Sequence, residues 1–108
     1  MLGALAALNG LLAVIVGAFG AHAMTDAQAK AWVATGALYG LGHAAAALTV
    51  MARAPTAAWA MSAGAIVFSG TLYLMALGLP RWLGAVTPIG GVLMIAGWAL
   101  LIWHFLRA

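Results

Sequence analysis

With 68% hydrophobic and only 5% charged residues among 108, the chain lacks the roughly one-quarter charged content that keeps a soluble domain in solution. A mean hydropathy of +1.17 makes it an integral membrane protein, and about four spans of ~20 residues with short loops use up its length as one domain. The net charge of +3 rests on Lys30, Arg53, Arg81 and Arg107 against Asp26. These cations stand singly at segment ends, as loop and headgroup anchors do, so no nucleic-acid partner is expected. The absence of cysteine excludes a disulfide framework, a thiolate metal site and a cysteine nucleophile.

The first span runs over about 2–22. No basic stretch precedes it and it is long enough to cross, so it is expected to insert uncleaved. Gly3, Ala6, Gly10, Ala13, Gly17 and Gly20 recur at steps of three and four. Lipid offers helices no hydrophobic drive to associate, so close backbone packing must serve, and this stripe is expected to be the tightest seam in the protein. Asn9 borders it and is expected to hydrogen-bond across to another helix. His22 falls at the membrane–water boundary.

Thr25-Asp26-Ala27-Gln28 reads as a capping box, with Thr25 at N-cap and Gln28 at N3. The second helix is expected over about 26–52, roughly 39 Å at 1.5 Å per residue. That exceeds the ~30 Å hydrocarbon core, so its first turns should lie in the interface with Lys30 and Trp32 as anchors. His43 then reaches mid-bilayer, where burial favours the uncharged imidazole. Pro55 separates this helix from a third, expected over about 57–78. Gly78-Leu79-Pro80-Arg81-Trp82 makes the next break. Thr87 and Pro88 then supply an N-cap and N1 pair for a fourth helix over about 87–107, with Leu83 to Val86 as a short interfacial turn before it. Trp98, Trp103 and Arg107 are expected to finish that helix in the far interface.

The fold class is thus an all-α membrane protein, four transmembrane helices in an antiparallel bundle. Lys and Arg divide two against two between its sides, so the positive-inside rule discriminates little. Placement of Arg53 and Arg107 in the shorter hydrophilic pieces favours cytoplasmic termini.

Thr35, Tyr39 and His43 recur at steps of four, beside Gly36 and Gly40. A polar stripe at membrane depth is expected to face protein. Thr35-Gly36-Ala37-Leu38-Tyr39 and Ser69-Gly70-Thr71-Leu72-Tyr73 share the pattern hydroxyl, Gly, x, Leu, Tyr. Antiparallel neighbours would bring both copies to the same half of the membrane. The expected cluster is therefore Thr35, Tyr39, His43, Ser69 and Tyr73, with His22 and Thr87 at its mouth. Gly3, Gly10, Gly17, Gly20, Gly36 and Gly40 are the expected helix-packing positions.

Such a cluster admits three readings. Its members can fix helix register through bonds averaging below ~1 kcal/mol each. They can line a pocket for a lipid headgroup, a small molecule or protons. Bis-histidine haem ligation by His22 and His43 is the third, and the different depths of the two residues weigh against it. No metal site and no other cofactor is indicated. No carboxylate lies within any span, so a proton antiporter driven by a membrane Glu is excluded. Asp26 is the only acid, which leaves no Ser-His-Asp or two-carboxylate machinery.

The blocks Leu8-Asn9-Gly10, Gly17-Ala18-Phe19-Gly20-Ala21-His22, Thr35-Gly36 with Tyr39 and His43, Phe68-Ser69-Gly70-Thr71-Leu72-Tyr73 and Arg81-Trp82-Leu83-Gly84-Ala85-Val86-Thr87-Pro88-Ile89-Gly90-Gly91 resemble the YgdD family of small bacterial inner-membrane proteins. Its eukaryotic relatives are called transmembrane protein 256. The resemblance covers nearly the whole chain. It implies a four-helix protein of the inner (plasma) membrane with no established activity, and it carries over no active-site residues. Gly40 and Gly42 stand where the family pattern has larger, often polar residues, which implies that any pocket here is roomier, or is filled by a partner helix or lipid. The expected function is a non-enzymatic membrane protein, an accessory or scaffold component or a lipid-binding module. A carrier of protons or a small neutral solute, working through His43, Tyr39 and Tyr73, is the alternative. Expected partners are membrane lipid and either further copies of the chain or a larger membrane complex.

Overall fold

Backbone amides in hydrocarbon have no water to bond, so each spanning segment must satisfy its own as a helix. A computed structural model describing all of residues 1–108 contains α1 (Leu2–Ala23), α2 (Ala27–Val50), α3 (Pro55–Ala76), a 3₁₀ turn (Arg81–Ala85) and α4 (Thr87–Arg107). All four α-helices are long and apolar enough to cross a membrane.

The helix ends follow local chemistry, with three shifts from expectation. Asp26, not Thr25, caps α2: its Oδ2 accepts from the Ala29 N–H at 2.8 Å. Moving the cap one residue places the carboxylate itself on the positive helix end. The first helical residue of α4 is Thr87, because the 3₁₀ turn runs into the helix through Val86 and leaves no extended residue to act as cap. The Thr87 hydroxyl is used instead on the Leu83 carbonyl, 3.2 Å away, and on Thr71. Pro55 opens α3 at its first position, two residues earlier than expected. At the other end of α3, Gly78 takes φ +100. This lets Gly78 N–H reach the Met75 carbonyl and Leu79 N–H the Leu74 carbonyl, each at 3.1 Å, the Schellman arrangement that closes a helix.

The bundle is organised on α3, whose span is 56% buried against 17% for α1. α2 and α4 pack on either side of α3, α1 packs mainly on α2, and α1 and α4 form no interface. A groove therefore remains between α2 and α4, floored by α3.

The tightest seam is α3–α4, not the small-residue stripe of α1. A Cβ on Gly64 would lie 2.7 Å from both the Gly90 carbonyl oxygen and the Met94 nitrogen, and one on Gly97 would lie 2.6 Å from Met61 Cγ. Each of these glycines has backbone of the facing helix within about 3.1 Å of the place a Cβ would take. Along α1 the glycines meet side chains of α2. A Cβ on Gly3 or Gly10 would sit 3.4 Å from Met51 or Ala44, and one on Gly17 3.0 Å from Ala37. Only Gly20, pressed against Val33, has no room. Small residues on one helix bring two backbones together only if the partner is equally small at the same level, and α2 presents alanine and valine.

Candidate functional site

The inner face of α2 is Val33, Gly36, Gly40, His43, Ala44 and Ala47. Gly36 and Gly40 receive polar side chains from both neighbours. Ser69 Oγ of α3 donates to the Gly36 carbonyl over 2.7 Å, and Asn9 Nδ2 of α1 donates to the Gly40 carbonyl over 3.0 Å. A carbonyl oxygen has two lone pairs, so each can accept a side-chain bond besides its place in the helix ladder. The Tyr73 ring lies on Gly36, where a Cβ would be 2.7 Å from its Cε1. Around Gly40, Asn9 Oδ1, Ser69 Oγ and Tyr73 Oη all come within 3.2–3.3 Å of the place a Cβ would take. Three helices thus cross at one pair of glycines. The Tyr73 hydroxyl is buried with no hydrogen-bond partner, and so is that of Ser62.

His43 belongs to a separate arrangement one turn further along. Its Nε2 lies 2.9 Å from Trp98 Nε1 of α4, and its Nδ1 lies 2.8 Å from the Tyr39 carbonyl oxygen. An indole N–H can only donate, so Nε2 accepts and Nδ1 carries the proton that goes to Tyr39. The imidazole is neutral, in one tautomer, with both nitrogens engaged. Protonating it would set two N–H groups against each other. Thr71 and Thr87, 2.6 Å apart between hydroxyl oxygens, tie α3 to α4 near the 3₁₀ turn.

The expected cluster is therefore divided. Ser69 and Tyr73 are buried against Gly36 and Gly40, and His43 is buried against Trp98. Thr35 and Tyr39 do not join them: Thr35 is exposed and Tyr39 is 44% exposed. Each four-residue step advances about 400° around a helix, so a stripe from Thr35 to His43 drifts by ~80° and leaves the inner face. The glycines, which permit the closest approach, define that face instead. Nor do His22 and Thr87 frame a common mouth. His22 is exposed in the last turn of α1, and α1 does not pack on α4. With His22 outside the bundle and both His43 nitrogens engaged, the two histidines share no ligand position.

Trp98 is the groove residue whose place differs from the expectation. It sits in mid-α4, not the far interface. Tryptophan is commonest in membrane belts, and only its spacing from Trp103 and Arg107, more than one turn away, hinted otherwise. The groove between α2 and α4 has a volume of roughly 300 Å³ and is lined by Tyr39, His43, Phe68, Gly91, Met94, Ile95 and Trp98. Tyr39 and Phe68 pack with tilted rings 5.0 Å apart, forming one rim. Apart from the Tyr39 hydroxyl, the polar side-chain atoms lining it are already bonded to each other or to backbone. What remains to a ligand is an apolar, half-open trough facing the bilayer.

Four apolar spanning helices joined by short turns define a small polytopic membrane protein. Residues 16–91 match the family model described as "Protein of unknown function (DUF423)". The chain belongs to that family, an integral protein of the bacterial inner membrane. It is 39% identical to the UPF0382 membrane protein YwdK of Bacillus subtilis, over 91% of this chain and 89% of that one. It is 42% identical to a UPF0382 membrane protein of Staphylococcus epidermidis, covering 91% and 88%. Identity to the UPF0382 inner membrane protein YgdD of Escherichia coli is 37%, covering 94% and 86%. No solved structure matches the chain.

Proposed function

We propose that this protein is a non-enzymatic lipid-binding module whose α2–α4 groove seats one acyl chain of a membrane lipid. The supporting observation is the groove itself: an apolar trough of roughly 300 Å³ at the middle of two spanning helices, opening toward hydrocarbon. Burying apolar surface against lipid-exposed walls brings little from hydrophobicity alone, so shape must provide selectivity. Gly91 provides it. A Cβ there would meet Phe68 Cδ1 only at 3.9 Å, leaving the trough open along α4.

Lipids carrying a diazirine in the acyl chain test this reading in nanodiscs. Crosslinks concentrated on Phe68, Met94 and Ile95, and reduced several-fold by Gly91→Leu, support it. Crosslinks spread evenly over exposed residues such as Leu11, Ile15 and Ile102, unchanged by Gly91→Leu, overturn it. A partner helix crosslinked in the groove would point to an accessory or scaffold role.

The carrier alternative finds less support. A proton relay needs a group free to gain and lose a proton, and His43 has each nitrogen committed in a fixed sense. Proteoliposomes holding an imposed proton gradient should leak no faster than empty ones, with or without His43→Ala. Flux that depends on His43 would restore the carrier.

A further inference from the structure

At the end of the molecule bearing both termini, the start of α3 and the last turns of α4 enclose a second recess of roughly 280 Å³, lined by Arg53, Thr56, Trp103, His104 and Arg107 among others. The Arg107 guanidinium lies over the Trp103 ring, 5.6 Å from its centroid, which holds it at the rim. α3 begins here with Ala54 at N-cap and no side chain capping it. The amides of Thr56 and Ala57, both in the lining, are left at the positive end of a helix without a side-chain acceptor. The chain's single acidic side chain, Asp26, caps the far end of α2, about 36 Å away along a 24-residue helix. At that far end the situation differs, because Arg81 shares its recess with Asp26. The Arg53–Arg107 recess thus gathers cationic groups and free amide donors with no carboxylate side chain to offset them.

We propose that this recess binds a phosphate oxyanion, that of an anionic phospholipid headgroup. Arg53 and Arg107 present planar forks that match phosphate oxygens, His104 and the α3 amides add donors, and the recess sits at helix ends, where lipid phosphates lie. It is independent of the acyl groove. Nine residues, two and a half turns, separate Trp98 from Arg107, so groove and recess occupy opposite faces of α4. Loss of one leaves the other testable.

The experiment counts lipid retained by the purified protein in native mass spectrometry, after equilibration with phosphatidylglycerol or with phosphatidylcholine, with and without inorganic phosphate. Preferential retention of phosphatidylglycerol is expected. Arg53→Gln with Arg107→Gln should lower it about tenfold or more, the loss expected when a charge-assisted hydrogen bond is removed. Arg53→Lys with Arg107→Lys should keep part of it, and Arg81→Gln all of it. Displacement of the lipid by inorganic phosphate would assign the same site to a free anion, and resistance to it assigns the site to the lipid. Equal retention of both lipids overturns the proposal. So does undiminished retention by the double Gln variant, or an equal loss in Arg81→Gln. Thermal unfolding of each variant confirms folding, and the lysine pair carries the comparison should the glutamine pair fail to fold.

Discussion

Trp98 Nε1–H donates to His43 Nε2 over 2.9 Å, joining α4 to α2 across 55 residues of chain and fixing the imidazole in its Nδ1-protonated form. It is the one side chain–side chain hydrogen bond between two helices that do not otherwise pack. Such a link closes the inner end of the trough at the spacing that α3, packed on both helices, gives α2 and α4.

A double-mutant cycle measures that link. Trp98→Phe and His43→Ala should show a coupling energy of about 0.6–1.7 kcal/mol in a reversible detergent unfolding assay, the range for interhelical bonds in membranes. Strict additivity would mean the pair does not interact in the folded protein.

The glycines divide into two groups by what surrounds them. Gly64→Ala and Gly90→Ala place a methyl against facing backbone, at 2.7 Å for Gly64, and should each destabilise by several kcal/mol or abolish folding. Gly42→Ala and Gly70→Ala meet nothing within 4 Å and should leave the melting temperature unchanged or raised. A severe defect from Gly42→Ala would indicate that its bare face is covered by another molecule.

Ser69 and Tyr73 lie side by side with opposite expectations. Ser69→Ala removes the bond to the Gly36 carbonyl and should lower stability by about 1 kcal/mol. Tyr73→Phe removes a buried hydroxyl that has no partner, and should be neutral or stabilising. Thermal unfolding of both variants decides, and a larger loss for Tyr73→Phe would reveal a bound group on that hydroxyl.

We propose that both termini face the cytoplasm. The chain contains no cysteine, so single cysteines at Thr56 and at Leu79 report orientation directly. A membrane-impermeant maleimide applied to spheroplasts should label Leu79→Cys and spare Thr56→Cys. The reverse pattern inverts the topology.

Hydropathy and helix punctuation were legible without coordinates. The four spans follow from apolar runs of the right length, and their breaks from Pro55, from Gly78 to Pro80, and from the 3₁₀ turn, all local properties of the backbone in lipid. The burial of Ser69, Tyr73 and His43 was legible too, because polar side chains at that depth are driven to face protein. Which groups they meet was not: Ser69 finds the Gly36 carbonyl, His43 finds Trp98, and the Tyr73 hydroxyl finds no partner. Thr35 and Tyr39 carry the right chemistry and face outward, because the glycines beside them turned α2 through part of a turn toward its neighbours. The α1 stripe has the right small residues but meets side chains of α2 along most of its length rather than backbone, because tightness belongs to a pair of helices and not to one. Trp98 bonds His43 only once α3 has set α2 and α4 at that spacing. A sequence determines which groups must be buried or satisfied. Rotation and pairing of helices are settled by where two surfaces approach most closely, and that is a property of the assembled bundle.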